Sequence, residues 1–329
     1  MTSDIHVGEY KVKPASVKWK CSVANFVDIC SIQLPASVYV PNTLTGTETP
    51  DGFKKLRFMP FKEGDAVSVA LGYDNDNKTV FKGYLKRINF TVPLTLECEG
   101  YSYLLSDVYF TKSYARTTLK NLLKDLTAGT AIRLSEYVSD VPLTNLTFRN
   151  YPGTSVLEWL QKELLASVYF DFDKLYAGAS RYGLKKDAHK LRLGWNTVED
   201  KDLKKSDKKT KINVEIVTKN PAGETKKTKD ETKKYNASKE VKIRSGLPSA
   251  FVNSMKNELQ RLEDYKGYSG NIVCFLQPCF EKSMTVDITD NRYPERAGIF
   301  FVEAVDGSFD KSGGRQKITV NFFGDVHGK

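Results

Sequence analysis

The sequence has no long hydrophobic run. Nowhere do about 18 apolar residues follow one another, as a membrane-spanning helix requires. Residues 1–20 also lack the apolar core of roughly 7–15 residues that follows the basic start of a secretion signal. The sequence therefore predicts neither a membrane span nor a classical signal peptide.

Cysteine and histidine are scarce. The cysteines form no C-x-x-C motif, and several lie in apolar or alternating runs, where cysteine acts as a small hydrophobic side chain. They are Cys21, Cys30, Cys98, Cys274 and Cys279. We expect synthesis in a reducing compartment. The histidines are His6, His189 and His327. Their isolation gives no zinc-ligand pattern, and we expect neither a metal nor a cofactor.

Positive charge is concentrated in one stretch. The chain carries 50 Lys and Arg against 40 Asp and Glu, and residues 201–240 alone hold 13 lysines against seven acidic residues. Nucleic-acid-binding surfaces interleave basic residues with stacking aromatic residues, whereas this stretch has one aromatic residue, Tyr235. We interpret it as a solvated charged hairpin, with an anion- or nucleic-acid-binding module as an alternative.

The length of 329 residues predicts two or three domains, and the first hundred residues have a β-strand pattern. Val67, Val69 and Leu71 alternate with small or polar residues, a polar turn follows, and residues 79–90 supply the return strand. We expect an antiparallel meander that closes into a barrel or sandwich. Gly83 marks a bulge or a close backbone approach.

Helical periodicity begins after residue 110. Leucines 119, 122, 123 and 126 recur at helical spacing, with Thr117 or Thr118 as the cap, and a second helix is predicted at about 154–168. The pattern therefore predicts a mixed α/β insertion at residues 110–200. A third helix is predicted from Pro248 to about residue 264, and the last sixty residues return to β-strands.

Two segments resemble ligand-binding loops but lack required residues. Asp74-x-Asp76 begins like a calcium loop, yet Lys78 occupies the fifth position, where an oxygen ligand is needed. Residues 178–187 approach a P-loop, but Leu184 stands where the phosphate-binding lysine belongs. We interpret the first as a hairpin turn and the second as a plain loop.

Two carboxylate pairs are the candidates for catalysis. They are Asp171/Asp173 and Asp287/Asp290. A glycosidase needs two acids held several ångströms apart across a sugar, and no G-x-S-x-G nucleophile motif is present. Residues at i and i+2 on a strand share one face, so solvent-exposed carboxylates are the simpler interpretation. The sequence predicts no enzyme and no catalytic residues.

The order of several motifs resembles the baseplate hub proteins of contractile phage tails, the late control gene D family, which is related to the hub part of VgrG-type type VI secretion spikes. In residues 64–105 the matching pieces are Gly64-Asp65, Phe81-x-Gly83, a strand ending near Cys98 and a leucine pair at 104–105. In residues 297–324 they are Phe301, Val302, Val305, Phe309, Gly313, Gly314 and Arg315. The resemblance covers most of the chain in order.

The resemblance implies an α+β, β-rich fold with two tube-like β-barrel domains. The first would cover residues 1–108, completed by strands around 209–245. The inserted α/β region would cover 109–200, and the second barrel, with the charged hairpin and one helix, 201–329. Three chains would form a ring with pseudo-sixfold symmetry.

The implied function is structural. The hub would join a sixfold tail tube to a threefold spike formed by a separate protein, and would enclose a channel for transient passage of tape-measure protein and DNA. Its place would be the baseplate of a phage, prophage or related contractile injection system, after synthesis in the bacterial cytoplasm. The alternatives are a tail-associated cell-wall-degrading enzyme and the basic binding module.

Overall fold

The computed structural model describes residues 1–35, 39–41, 47–48, 53–55, 60–179, 188–206, 212–219, 225–228 and 235–322. Most of the described elements are β-strands, with three α-helices, which confirms the β-rich α+β class.

The strands of the N-terminal part are β1 (Thr2–Val7), β2 (Tyr10–Val12), β3 (Ser16–Ser22), β4 (Ile29–Leu34), β5 (Tyr39–Pro41), β6 (Thr47–Glu48), β7 (Phe53–Lys55), β8 (Ala66–Tyr73), β9 (Asp76–Asn89) and β10 (Leu94–Glu99). The middle part contains β11 (Tyr109–Thr118), α1 (Leu119–Thr127), β12 (Arg133–Leu134), β13 (Pro142–Pro152), α2 (Gly153–Glu163), β14 (Ser167–Asp171) and β15 (Lys174–Gly178). The C-terminal part contains β16 (Ala188–Arg192), β17 (Thr197–Lys205), β18 (Ile212–Lys219), β19 (Thr225–Thr228), β20 (Ala237–Ile243), α3 (Ser249–Asp264), β21 (Tyr268–Phe275), β22 (Thr285–Thr289), β23 (Gly298–Asp310) and β24 (Gly313–Phe322).

One 13-stranded sheet joins the two ends of the chain. Its main path runs β17-β21-β24-β23-β3-β4-β10-β9-β8-β1-β2, and β22 connects β16 to β23. The junction is the antiparallel pair β3–β23, in which Gly307 lies opposite Trp19 and Phe309 opposite Val17. The N-terminal and C-terminal strands therefore form one continuous surface.

Two hydrophobic cores lie along this sheet. The first is built from alternating residues of the N-terminal strands, including Ile5, Val69 and Leu96, each at most 2% exposed. The second gathers C-terminal strand residues such as Ile272 and Ile318. Period-two alternation, which puts every second side chain on one face, explains why these strands were recognisable in the sequence.

The middle part has its own core. Leucines 119, 122, 123 and 126 on α1 are buried together with Val156, Leu157 and Leu160 on α2. The first helix begins where predicted, because the Thr118 side chain accepts a hydrogen bond from the backbone N–H of Asn121 at 3.3 Å. The second is shorter than predicted and ends at Glu163, with Leu165 in the left-handed region at φ 53°.

Replacing the cap Thr118 with alanine is expected to lower the free energy of unfolding by about 1 kcal/mol, because one N–H at the start of α1 loses its acceptor. Chemical denaturation measures this loss. Thr117→Ala is the control, since Thr117 is not the capping residue, and an equal effect of both changes would contradict the assignment.

Strands around 209–245 of the lysine-rich region were expected to complete the first barrel, but the structure places them elsewhere. β18 pairs with β19 and β20 in a separate three-stranded sheet. Ile216 of β18 and Ile243 of β20 are buried in the core of the middle part. Helix α3 packs on β18, and Gln260 bonds to its backbone at Val214 and Ile212. These strands complete the middle part because their apolar face is covered there.

Two local predictions are explained by backbone geometry. A Cβ at Gly83 would lie 2.1 Å from the backbone oxygen of Glu99, which confirms the close approach. Asp74 and Asn75 both have positive φ in the turn between β8 and β9, so the calcium-like motif is a hairpin turn. Most of the P-loop-like segment, residues 180–187, lies outside the described residues, as does His327.

Candidate functional site

The three parts of the chain meet at a buried ion pair. Lys282, just before β22, contacts both carboxylate oxygens of Asp28, just before β4, at 2.5 and 2.6 Å. The two side chains are only 6% and 12% exposed. Burial raises the pKa of Asp28 although Lys282 opposes that shift. Removal from water disfavours charge, so each partner depends on the other for compensation.

Side chains from all three parts surround this pair. The Lys282 ammonium lies 5.9 Å from the ring centre of Tyr169 on β14. Burial raises the pKa of the Cys21 thiol to about 12, and the negative charge of Asp28 contributes to this rise. Cys21 therefore stays protonated at neutral pH. The arrangement fixes the middle part against the long sheet.

A polar cavity of about 470 Å³ opens on the other side of Tyr169. Its walls are Leu134, Ser135, Glu136, Tyr137, Tyr169, Asp171, Lys174, Tyr176 and Ser283. Asp171, one of the sequence candidates, therefore faces a cavity between the middle and C-terminal parts.

Asp173 has a different environment from Asp171. It forms an ion pair with the side chain of Arg133 on β12. Burial acts to raise the pKa of Asp173, but Arg133 outweighs it and holds that pKa below the ordinary carboxyl value. The two carboxylates therefore have different roles: Asp171 lines the cavity, and Asp173 holds β12 against the β14–β15 hairpin.

Carboxyl titration by NMR should separate Asp173 from Asp28. Asp173 is expected to titrate below the usual value of 3.8 and Asp28 above it. Because the folded pKa of Asp173 is depressed, its contribution to stability is present above the unfolded pKa and is lost as the pH falls through the folded pKa. Arg133→Gln should raise the pKa of Asp173 towards its ordinary value. Lys112→Gln, which removes an ion pair that does not involve Asp173, should leave the pKa of Asp173 unchanged.

The second candidate pair is structural. Asp290 accepts hydrogen bonds from the backbone N–H groups of Arg292 and Tyr293 at 2.8 and 3.1 Å, and its other oxygen lies 3.4 Å from Arg296. It shapes the turn before β23. Asp287 lies within β22, paired in register with Lys190 and Ile299.

Part of the lysine charge in residues 201–240 is paired. β18 pairs antiparallel with β19 and in parallel with β20. Lys227 forms an ion pair with Glu240, and Lys239 lies 2.7 Å from Glu263 on α3. Other lysines of the stretch lie outside the described residues.

The most extensive polar surface is one face of the long sheet. One row of directly paired residues across successive strands contains Arg87, Glu97, Ser31, Lys18, Ser308, Arg315 and Phe275. A second row contains Glu99, Ile29, Lys20, Asp306, Lys317 and Val273. Directly opposite residues share a face, so both rows lie opposite the buried Val17, Trp19 and Val305.

Acidic and basic side chains alternate along the second row, whereas the first row is mainly basic. Lys86 lies 2.6 Å from Glu99, and Lys317 lies 2.9 Å from Asp306. A shallow groove of about 490 Å³ crosses its N-terminal half, with Lys18 and Lys20 on one wall. Across the two rows, five basic side chains lie among three acidic ones, and Ile29 and Phe275 add exposed apolar surface.

Sequence reasoning did not identify Asp28, Lys282 or the polar face. An isolated aspartate and an isolated lysine 254 positions apart carry no local signal. The face could have been found only by knowing which strands are neighbours, because each strand shows simple alternation by itself.

Within the described residues, no group of three or more His, Cys, Asp or Glu side chains is placed to hold a metal ion. None of the described helices is long and apolar enough to cross a membrane.

Comparison with solved structures shows whole-chain similarity to tail proteins. A tail protein from Neisseria meningitidis MC58 is 12% identical, with a TM-score of 0.68 over 98% of this chain and 96% of that chain. The 43 kDa tail protein of prophage MuSo2 from Shewanella oneidensis is 14% identical, with a TM-score of 0.61 and 97% coverage of both chains.

A secretion protein has the same fold. An E. coli component of the type VI secretion system, which is structurally similar to the T4 bacteriophage tail proteins gp27 and gp5, is 11% identical, with a TM-score of 0.57 over 100% of this chain and 79% of that chain. No family model matches the sequence, and no curated protein matches it significantly. The resemblance to baseplate hub proteins is thus confirmed at the level of the fold.

Proposed function

We propose that this chain is a structural baseplate hub of a phage tail or related contractile injection system. In that role it adapts a sixfold tail tube to a threefold spike and encloses a central channel. The observation that carries the proposal is a long sheet with two cores on one side and a face of mixed charge on the other, in a fold similar to tail proteins over nearly the whole chain.

The polar face suits the wall of a channel. Polymers that pass transiently must not be held, and the ion pairs of Lys86 with Glu99 and of Lys317 with Asp306 reduce the basic charge available to retain DNA. We assign the rows that contain Lys18 and Lys20 to the channel wall. DNA would pass without sequence-specific readout.

Two barrel domains per chain give the symmetry match. Three chains would contribute six similar barrels, which meets a sixfold tube on one side while the ring retains threefold symmetry for the spike. The proposed domains are 1–108, the inserted region at 109–200 and 201–329, with β18–β20 packed onto the inserted region.

The proposed partners are a tail tube protein, a separate spike protein and two further copies of this chain. The proposed place is the virion tail baseplate, assembled in the bacterial cytoplasm. A chain with this role performs no chemical step, so no cofactor is needed.

Negative-stain imaging of the purified full-length protein tests the proposal. Class averages should show closed rings with an open centre and six similar densities around it. Compact particles of one chain, or rings whose centre is filled by folded protein, would contradict it.

A further inference from the structure

The polar cavity behind Tyr169 has the construction of a binding site and has no role in the hub proposal. Its volume, about 470 Å³, lies in the range of small-ligand sites. One wall comes from the middle part and the other from Ser283 in the C-terminal part. Ligand sites favour such boundaries between parts of a chain.

The wall at residues 135–139 is fixed before any ligand arrives. The backbone N–H groups of Ser135 and Ser139 donate to the carbonyl oxygens of Leu175 and Ala177 on β15, at 2.9 and 3.2 Å. These bonds hold the turn that carries Tyr137. A preformed wall lowers the entropic cost of binding.

The opposite wall contains a buried hydroxyl and a strained residue. Tyr169 is fully buried, and its hydroxyl forms no hydrogen bond of normal geometry within the described part of the chain. The Ser283 side chain interacts with this hydroxyl, and a ligand oxygen beside it would supply an acceptor of normal geometry. Ser283, 2% exposed, has a φ of 68°, in the left-handed region that residues other than glycine adopt less often.

The side chains around the cavity define the ligand chemistry. Glu136 and Asp171 offer carboxylate oxygens that accept hydrogen bonds, Tyr169 offers a donor, and Tyr137, half-exposed at the mouth, offers a ring face. Lys174, paired in register with Asp171, offsets part of the negative charge. A ligand that makes all of these contacts carries hydroxyl groups that both donate and accept, and has one apolar C–H face.

We propose that this cavity binds a neutral saccharide, one or two pyranose rings long. A pyranose has the required hydroxyl groups on its edge and a C–H face that stacks on tyrosine. The proposal concerns binding without cleavage: Asp171 lines the cavity, while Asp173 is held by Arg133. The proposal does not depend on the assembly of three chains into a ring.

The test is saturation-transfer NMR of the full-length protein with two probes, N,N′-diacetylchitobiose and maltose, followed by titration with the probe that binds. At least one should receive saturation in the wild-type protein. Tyr137→Ala and Asp171→Asn should each weaken binding about tenfold, through loss of the stacking ring and of an acceptor. Tyr169→Phe, which keeps the ring, should weaken it less but measurably.

Tyr109→Ala is the matched control, because Tyr109 is 65% exposed and does not line the cavity. It should bind like the wild type, and circular dichroism should show that every variant remains folded. The proposal is overturned if neither saccharide binds, if the cavity variants bind as well as Tyr109→Ala, or if arginine methyl ester displaces the saccharide and binds more tightly. A monomeric sample that still binds would count against the hub alone.

Discussion

Replacing Lys282 with methionine is expected to lower the free energy of unfolding by about 3–5 kcal/mol. The change leaves the Asp28 carboxylate, 12% exposed, without its cation. The loss of stability is large because the pair is removed from water, so solvent cannot compensate the charge that remains. Urea denaturation followed by circular dichroism and tryptophan fluorescence measures the loss.

The double variant Asp28→Leu/Lys282→Met distinguishes charge from packing. Apolar replacement of both partners removes the desolvation cost together with the attraction, so most of the stability should return. Lys317→Met is the matched control: its pair with Asp306 is partly exposed and should contribute at most about 1 kcal/mol. If the double variant is as unstable as the single variant, the pair's role is packing, not charge compensation.

Gly307→Ala is expected to destabilise the protein by about 3 kcal/mol, at the upper end of the usual cost of overpacking. A Cβ at this position would lie 1.9 Å from the indole Cζ2 of Trp19, directly opposite on β3. Trp19 is 4% exposed within the first core, so the indole cannot move without opening that core. The general preference of strands for alanine over glycine is much smaller than this clash. Thermal and chemical denaturation measure the loss.

The Trp19→Phe background shows whether the clash is the cause. A smaller ring leaves room for the methyl group, so Gly307→Ala should cost clearly less there than in the wild type. Ser308→Ala, on the neighbouring outward-facing position, should change stability by less than about 0.5 kcal/mol. Equal costs of Gly307→Ala in both backgrounds would refute the close approach as the mechanism.

Local pattern was enough to predict most of the elements. The leucine spacing of α1 and the cap at Thr118 are properties of a few consecutive residues, and so is the alternation of Val67, Val69 and Leu71 in β8. Each follows from the period of one element and needs no knowledge of its neighbours.

Which strands are neighbours was much harder to predict. Strands around 209–245 were expected to complete a first barrel, but β18 pairs with β20 and packs against α3. The contact between Asp28 and Lys282 was hard to predict for the same reason, because it forms only when the β3–β23 junction brings distant segments together. Of the cavity, the sequence indicated Asp171 but not Tyr137 or Ser283.

The mass of the protein in solution shows whether three chains assemble into a ring. Light scattering after size exclusion, at several micromolar concentrations, should give a mass of about three times 37.1 kDa that does not change on dilution. A mass of one chain at every concentration would contradict the account.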